Sequence, residues 1–431
     1  MLTIQNWDFL SIKEQQVCLS RPTKTESVKD TVLAIINEVR SIGDKALFDL
    51  TKKLDGVCLN SIQIPEQEIQ NAKIDAGSLQ ALQQAIESIT QYHQSIVPEQ
   101  TYCSTAAGIN LRTIYRPIQK VGLYVPGGNN TPLISSLLMQ AIPARVAGCP
   151  IKVLCTPLNT KGEISPHLLV AARLCGINTI YALGGAQVIA AMAYGTESVT
   201  KVDKLFGPGN SYVTEAKMFV SNDADGAAID MPAGPSEVMI IADSQANPAF
   251  VAADLLAQAE HGIDSQVYLI CEELSFAEQV NKELELQCSL LSRRNLISQS
   301  LANSRIILCS KRAEQLDIIN HYAPEHLIIN REDADSWVDQ INAVGTVFLG
   351  QWAAETMGDY VSGSNHVLPT NGYAKNHNGL STLDFLTRFT VQSISQEGLQ
   401  NLGPAAITLA QLERLDAHAQ AVQIRLNALE V

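Results

Sequence analysis

The residues best equipped for chemistry fall in five short stretches: GPSEV at 234–238, QAEHG at 258–262, YAPEHL at 322–327, MGDYVSGSNHVLPT at 357–370 and AQLERLDAHAQ at 410–420. Gln258 and His261 stand three apart, so on a helix they occupy neighbouring turns and can reach one point, as two metal ligands would. The competing reading is a polar helix end with a hydrogen-bonded histidine, and this stretch alone leaves both open. Glu325 and His326 are adjacent behind Pro324. A carboxylate beside an imidazole suits a reaction with two proton-transfer stages. Neighbours on a strand point to opposite faces, yet a proline-led turn can present both to one cleft. The plainer alternative is a turn carboxylate and a buried histidine. Asp359, read as a loop residue in Gly-Asp-Tyr, can reach a metal, while His366 suits an acidic substrate group or a loop hydrogen bond. Glu413 and His418, five apart, would sit about 140° apart around one continuous helix. They share a site only if the helix breaks, and a break is predicted near residues 415–417 with Asp416 as the new N-cap.

Periodicity supplies the elements that must position these groups. Before QAEHG, Asn247 is a helix N-cap and Pro248 takes the first helical position. Val251, Leu255, Leu256 and Ala259 recur at helical spacing, and Gly262 reads as a left-handed stop. His261 then lies in the last turn, at the negative end of the helix dipole, which suits a cation. Residues 1–23 read as a short helical arm, and residues 25–97 as helical, with Ile35, Ile36, Val39 and Ile42 forming an apolar stripe. From about residue 109, short strands alternate with helices, as in parallel α/β units. EVMIIAD, RIILCS, HLIIN and TVFLG are apolar enough for buried strands, and beyond Ser381 the pattern is helical to the C-terminus. The predicted fold class is α/β, with two Rossmann-like parallel-sheet domains and small helical units at either end. One α/β unit combines 24–123 with 238–380 and carries most of the polar stretches. The other is 124–237, and the C-terminal helical unit is 381–431. The stretches 124–237 and 238–380 read as a diverged duplication.

Three strand-to-helix junctions carry glycine: KVGLYVPGGNNTP, TIYALGGAQ and DKLFGPGNSY. Glycine there permits a tight turn and close approach of a ligand to the backbone, and helix N-terminal amides bind phosphate. None matches GxGxxG, and no acidic residue stands at the distance expected for a ribose contact. Many α/β turns need glycine regardless, so a nucleotide or phosphate ligand and a purely structural use both remain open.

Composition narrows the function classes. The chain has 431 residues, 46% hydrophobic and 17% charged, enough for about three domains with ample core. A formal charge of −14 argues against an extended nucleic-acid face. No apolar run spans a bilayer, and the first residues lack the apolar core of a signal peptide. Nine cysteines, odd in number and without a CxxC pair, predict reduced thiols in a cytoplasmic setting rather than disulfides or a thiolate zinc site.

The motifs GLYVPGG, IPARVAGC, GGAQ, AYGTESV, VDKLFGPGN, YVTEAK, DMPAGPSEV, DLLAQAEHG, YAPEHL, GDYVSGSNHVLPT and AHAQAV are long and unusual. On them the chain resembles the histidinol dehydrogenase family over residues 25–429. The resemblance implies a homodimeric zinc enzyme that oxidises L-histidinol to L-histidine through bound L-histidinaldehyde, consuming two NAD and closing histidine biosynthesis. It implies Gln258, His261, Asp359 and His418 as zinc ligands, and Glu325 with His326 as the acid/base pair. Substrate contacts would be Ser236, Gln258, His261, His326, Asp359, His366, Glu413 and His418, and cofactor contacts Tyr124, Gln187 and Asn210. It further implies that the C-terminal helices swap between subunits, so that Glu413 and His418 complete the partner's site. Two departures are mild: GGNNTP replaces a more usual Thr-Ala or Ser-Ala after the glycines, and AAET stands where Pro-Glu is common before Gly-Asp-Tyr.

In the implied chemistry, zinc acts as a template that orients histidinol rather than as a source of hydroxide. His326, neutral at working pH, takes the alcohol proton as the first hydride leaves, and Glu325 activates water for the aldehyde stage. A thiohemiacetal route through Cys149 or Cys155 is less favoured, because nothing nearby lowers either thiol's pKa. The rival classes are a zinc hydrolase indifferent to NAD, and a paralogous dehydrogenase for another amino alcohol or a sulfonate-bearing alcohol.

Overall fold

The four apolar runs expected as buried strands pair in parallel within a six-stranded sheet. In this computed structural model, which describes residues 1–22, 27–128, 131–232 and 234–429, Glu237–Ala242 is flanked by Gln266–Cys271 and His326–Asn330. Arg305–Leu308 and Thr346–Leu349 lie outside these, and Thr3–Asn6 adds a parallel edge strand. The inner strands are buried along their whole length, which is why they read as unbroken apolar runs. Helices Pro248–Ala259 and Leu274–Leu290 cover one face through Val251, Leu255, Phe276 and Val280. Arg312–Tyr322 covers the other through Leu316 and Ile319, together with Trp337.

A second, five-stranded parallel sheet contains Lys120–Tyr124, Ile151–Cys155, Thr179–Tyr181, Lys204–Phe206 and Ala228–Ile229. Numbered from its own first strand, each sheet runs in the order 3-2-1-4-5, leaving aside the Thr3–Asn6 edge strand. That is the doubly wound arrangement, with the switch point between strands 1 and 4.

Several sequence expectations are corrected. The N-terminal arm is not wholly helical, since Thr3–Asn6 is a strand; Leu2 is anchored by a pair of hydrogen bonds with the Asn281 side chain, and the helix is confined to Ile12–Cys18. The helix Lys29–Ile42, expected with the first sheet, packs on the second. Its Val32, Ile35, Ile36 and Val39 lie against Tyr181, Ile189 and Val213. Each such side chain contributes about 1.5–3 kcal/mol of burial, and that fixes the helix there. Ile42, expected in the same stripe, is exposed. The first strands after residue 100 are antiparallel, not parallel: Tyr102–Ala106 pairs with Ile109–Pro117. The latter also pairs over nine residues with Leu386–Ile394, so the region beyond Ser381 is not fully helical. LTRFTVQSI is rich in β-branched and aromatic residues, which favours a strand. The departing residues Asn129 and Asn130 of GGNNTP, and the boundary at 23–24, lie outside the described residues.

A buried ion pair, Lys217 with Asp230, locks the third glycine junction. Lys217 also donates to the Gly207 carbonyl, while Asp230 accepts from the Gly207 N–H. Gly207 takes φ +115°, and a Cβ there would lie 2.1 Å from the Tyr124 carbonyl oxygen, so only glycine fits. Lys217→Met would leave a carboxylate buried and unpaired. We expect it to cost about 3–5 kcal/mol in urea unfolding. A loss under about 1 kcal/mol, the size of an exposed pair, would show that the contact does not hold the turn.

Candidate active site

Glu325 and His326 meet at the amino edge of the first sheet, where His326 opens its strand in register with Val238. Ala323 takes a left-handed φ of 53° before Pro324, and the turn delivers both side chains to one cleft. The two are buried and 3.6 Å apart, Glu325 Oε2 to His326 Nδ1. Glu237 organises them through its main chain. Its N–H donates to Glu325 Oε2 at 2.9 Å, and its carbonyl accepts from Gln258 Nε2 at 3.0 Å. His326 Nδ1 lies 3.2 Å from the same carbonyl. With Nδ1–H assigned as the donor there, Nε2 is left free as the acceptor.

The cleft is crowded with carboxylates. Glu355 Oε1 lies 3.7 Å from His326 Nδ1, and Asp359 Oδ1 lies 3.8 Å from His326 Nε2. Burial pushes the Glu355 carboxyl up to about 8, with His326 opposing and Asp359 and Glu325 adding. Burial likewise raises Asp254 to about 6. Burial disfavours a charged His326, but Glu355, Glu325 and Asp359 outweigh it and push the imidazole up to about 10. The chain's own carboxylates therefore favour a charged His326, whereas the sequence reading takes it as neutral. A cation beside these carboxylates would oppose that rise. His326, Glu355 and Asp359 have ligand atoms within 4.8 Å of one another, and Glu355 Oε2 is buried without a hydrogen-bond partner. A dication fits this donor set.

The other expected residues divide. Gln258 is buried beside Glu325 and His326, its Nε2 occupied by hydrogen bonds to the Glu237 carbonyl and Glu325. Asp359 is in the cleft, but on the short helix Glu355–Tyr360 rather than in a loop. His366 borders it, its Nδ1 2.9 Å from the Asp359 carbonyl. Ser236 is half-buried, one residue before Glu237. His261 is exposed and lies past the helix, which ends at Ala259. Gly262 is not left-handed; the Glu260 N–H closes the helix onto Leu256 and Gln258. Glu413 and His418 are exposed, and among the described residues no hydrogen bond or ion pair joins their side chains to the cluster. The helix break between them is present, with Arg414 left-handed at φ 58°. It begins slightly earlier than expected, and Asp416 opens the first turn while Leu415 occupies the cap position.

Glu355, Glu237, Arg21 and Asp254 were not singled out from sequence. Glu355 stands four before Asp359, one helical turn, and that spacing was a readable signal. Arg21 offered none.

The three glycine junctions converge at the carboxyl ends of the second sheet. Tyr124 accepts from the Gly185 N–H at 3.3 Å, and its carbonyl faces Gly207. Gln187 is buried, with Nε2 3.5 Å from Asp55 Oδ2 and Oε1 without a partner. The Gln140 Oε1 is similarly orphaned. Asn210 caps the helix Ser211–Ser221, accepting from the Tyr212 and Val213 N–H groups. The glycine cradle and the two buried, unpartnered amide oxygens fit a hydrogen-bonding ligand such as a dinucleotide. Burial pushes the Cys149 thiol up to about 11 and raises Cys155 as well, the direction that disfavours a thiolate at either.

The histidinol dehydrogenase family model matches residues 19–426. A curated histidinol dehydrogenase of Legionella pneumophila subsp. pneumophila is 70% identical, with 100% of each chain covered. That of Vibrio vulnificus is 48% identical over 98% of each. The crystal structure of histidinol dehydrogenase from Elizabethkingia anophelis superposes with a TM-score of 0.96 at 43% identity, covering 100% of this chain and 99% of that one. Family match, full-length identity and shared architecture agree: the chain belongs to the histidinol dehydrogenase family, oxidoreductases of histidine biosynthesis.

Proposed function

We propose that this protein oxidises L-histidinol to L-histidine through bound L-histidinaldehyde, with one zinc per subunit and two NAD per product, in the cytoplasm. The observation that carries the reading is the Glu325–His326 pair, held by the Glu237 main chain in a cleft of carboxylates. His326 Nε2 takes the alcohol proton, its other nitrogen fixed on the Glu237 carbonyl. Glu325, with Oε2 held by the Glu237 N–H, uses its remaining oxygen to deprotonate the water that hydrates the aldehyde. NAD, when bound, supplies the hydride acceptor, with Tyr124, Gln187 and Asn210 as its contacts. Zinc, when bound, supplies a fixed positive charge that anchors histidinol and offsets the carboxylates. Gln258, His261 and Asp359 would hold it together with the partner subunit's His418. Ser236, His366 and the partner subunit's Glu413 complete the substrate contacts. A zinc hydrolase would leave the convergent glycine junctions without use, and family membership sets that reading aside.

The homodimer, with swapped C-terminal helices, is supported by the terminal hairpin itself. Gln396–Leu412 and Asp416–Asn427 pack on each other, with Gly403 meeting Val422 and Leu426. Leu402, Leu409, Leu412 and Ile424 remain exposed. Such an apolar surface on an arm with exposed Glu413 and His418 fits a second copy of the chain. The common 3-2-1-4-5 strand order likewise supports duplication of one α/β unit, and the two sheets are the natural division into domains, each with its own core.

With L-histidinol, we expect two NADH per histidine formed, activity lost on chelation and restored by zinc. No turnover of histidinol by the zinc-loaded protein would overturn the assignment and favour another alcohol. Metal analysis separates two ligand sets that share Asp359. We expect His261→Asn and Asp359→Asn to lose zinc and Glu355→Gln to retain it. Retention in His261→Asn with loss in Glu355→Gln would point instead to the His326, Glu355 and Asp359 triad.

A further inference from the structure

Arg21 lies outside the polar stretches, yet its guanidinium forms a two-point clamp on Glu237: Nε to Oε1 at 2.5 Å and Nη2 to Oε2 at 2.9 Å. Nη2 also donates to the Tyr322 carbonyl at 2.8 Å, and the guanidinium stacks 3.9 Å from the Tyr322 ring centroid. The segment carrying Arg21 is itself fastened to the sheet. Tyr268 donates its hydroxyl to the Cys18 carbonyl, and Gln266 donates through Nε2 to the Ser20 carbonyl. Glu237 is buried, and its Oε1 takes a third hydrogen bond from the Asn371 N–H at 3.0 Å. Asn371 follows directly on the loop that bears His366, so the clamp also joins the two sides of the cleft.

Glu237 is the first residue of its strand, where the backbone is not yet held on both sides by the full sheet ladder. Its N–H and carbonyl are nevertheless the groups that fix Glu325, Gln258 and His326. We infer that Arg21 is a positioning residue for the oxidation: by pinning the Glu237 side chain, the N-terminal segment sets the main-chain hydrogen bonds that aim the acid/base pair. The inference rests on the assignment of Glu325 and His326 as that pair. The contacts of Arg21 are with Glu237 and Tyr322, not with Glu325 or His326, so its effect on the pair passes through Glu237. Lysine cannot replace it fully, because a single ammonium cannot reproduce the planar two-point contact and the ring stacking together.

The test compares Arg21→Ala, Arg21→Lys and Glu325→Gln in the full-length protein. A displacement near 1 Å at a catalytic group costs about 100-fold, so Arg21→Ala should lower kcat for L-histidinol about 10- to 100-fold. The KM values should stay within about twofold, the sign of an interaction felt at the transition state. Zinc content and NADH binding, followed by fluorescence, should be unchanged. Arg21→Lys should fall between Ala and the parent, and low concentrations of guanidinium salt should restore part of the kcat of Arg21→Ala. Wild-type kcat in Arg21→Ala, or a loss that only tracks the folded fraction and resists guanidinium, would overturn the inference. Glu325→Gln separates the two failures: an inactive Glu325→Gln beside a fully active Arg21→Ala refutes only the positioning role. An active Glu325→Gln removes the acid/base assignment and this inference with it.

Discussion

Carboxylates do not gather in a desolvated cleft without a counter-charge, and that constraint governs this molecule. Glu325, Glu355 and Asp359 crowd around His326, with Asp254 acting on Glu355, while Arg21 pairs with the neighbouring Glu237. Taking a single carboxylate out of water costs several kcal/mol even after relaxation. Burial raises the Glu355 and Asp254 carboxyls, and the surrounding carboxylates raise the His326 imidazole against the effect of its burial. A dication bound there, as proposed, would offset these charges and leave His326 Nε2 to act as the base. In the proposed enzyme this cluster is what would draw a metal ion to the cleft.

The two parallel sheets share a strand order but are used at opposite ends. The second presents its glycine junctions at the carboxyl ends of its strands, as doubly wound folds generally do. The first presents Glu237 and His326 at the amino ends, and the helix Pro248–Ala259 runs back to place Gln258 beside them. Duplication would therefore have kept the architecture and moved the chemistry, since the core strands fix topology without dictating which edge carries polar residues. The clamp through Arg21 and Asn371 secures an edge that the strand ladder alone leaves loose.

Much of this was legible in the sequence for a physical reason. Buried strands such as HLIIN and EVMIIAD announce themselves by apolar runs, and the glycine junctions by residues that no other side chain can replace. Gln258, Glu325, His326, Asp359 and His366 do assemble in one cleft. Less legible was whatever depends on partners distant in sequence. LTRFTVQSI becomes a strand only because Ile109–Pro117 is there to pair with it. Thr3–Asn6 is held by Arg305–Leu308, some 300 residues away by chain number. Arg21 acquires meaning only when the first sheet brings Glu237 to it, whereas Glu355 offered its four-residue spacing from Asp359 but sits on a helix of only six residues.

In the proposed dimer, the carboxylate cluster of one subunit would be completed by the C-terminal arm of another. Complementation tests it most directly. Chains carrying His326→Ala and chains carrying His418→Ala, each inactive alone, are co-expressed and the mixed dimers assayed for histidinol oxidation. In a swapped dimer every mixed pair retains one intact site of two, so random pairing predicts about a quarter of wild-type activity. If co-expression restores nothing while mixed dimers form, each site is built from a single chain and the account is contradicted.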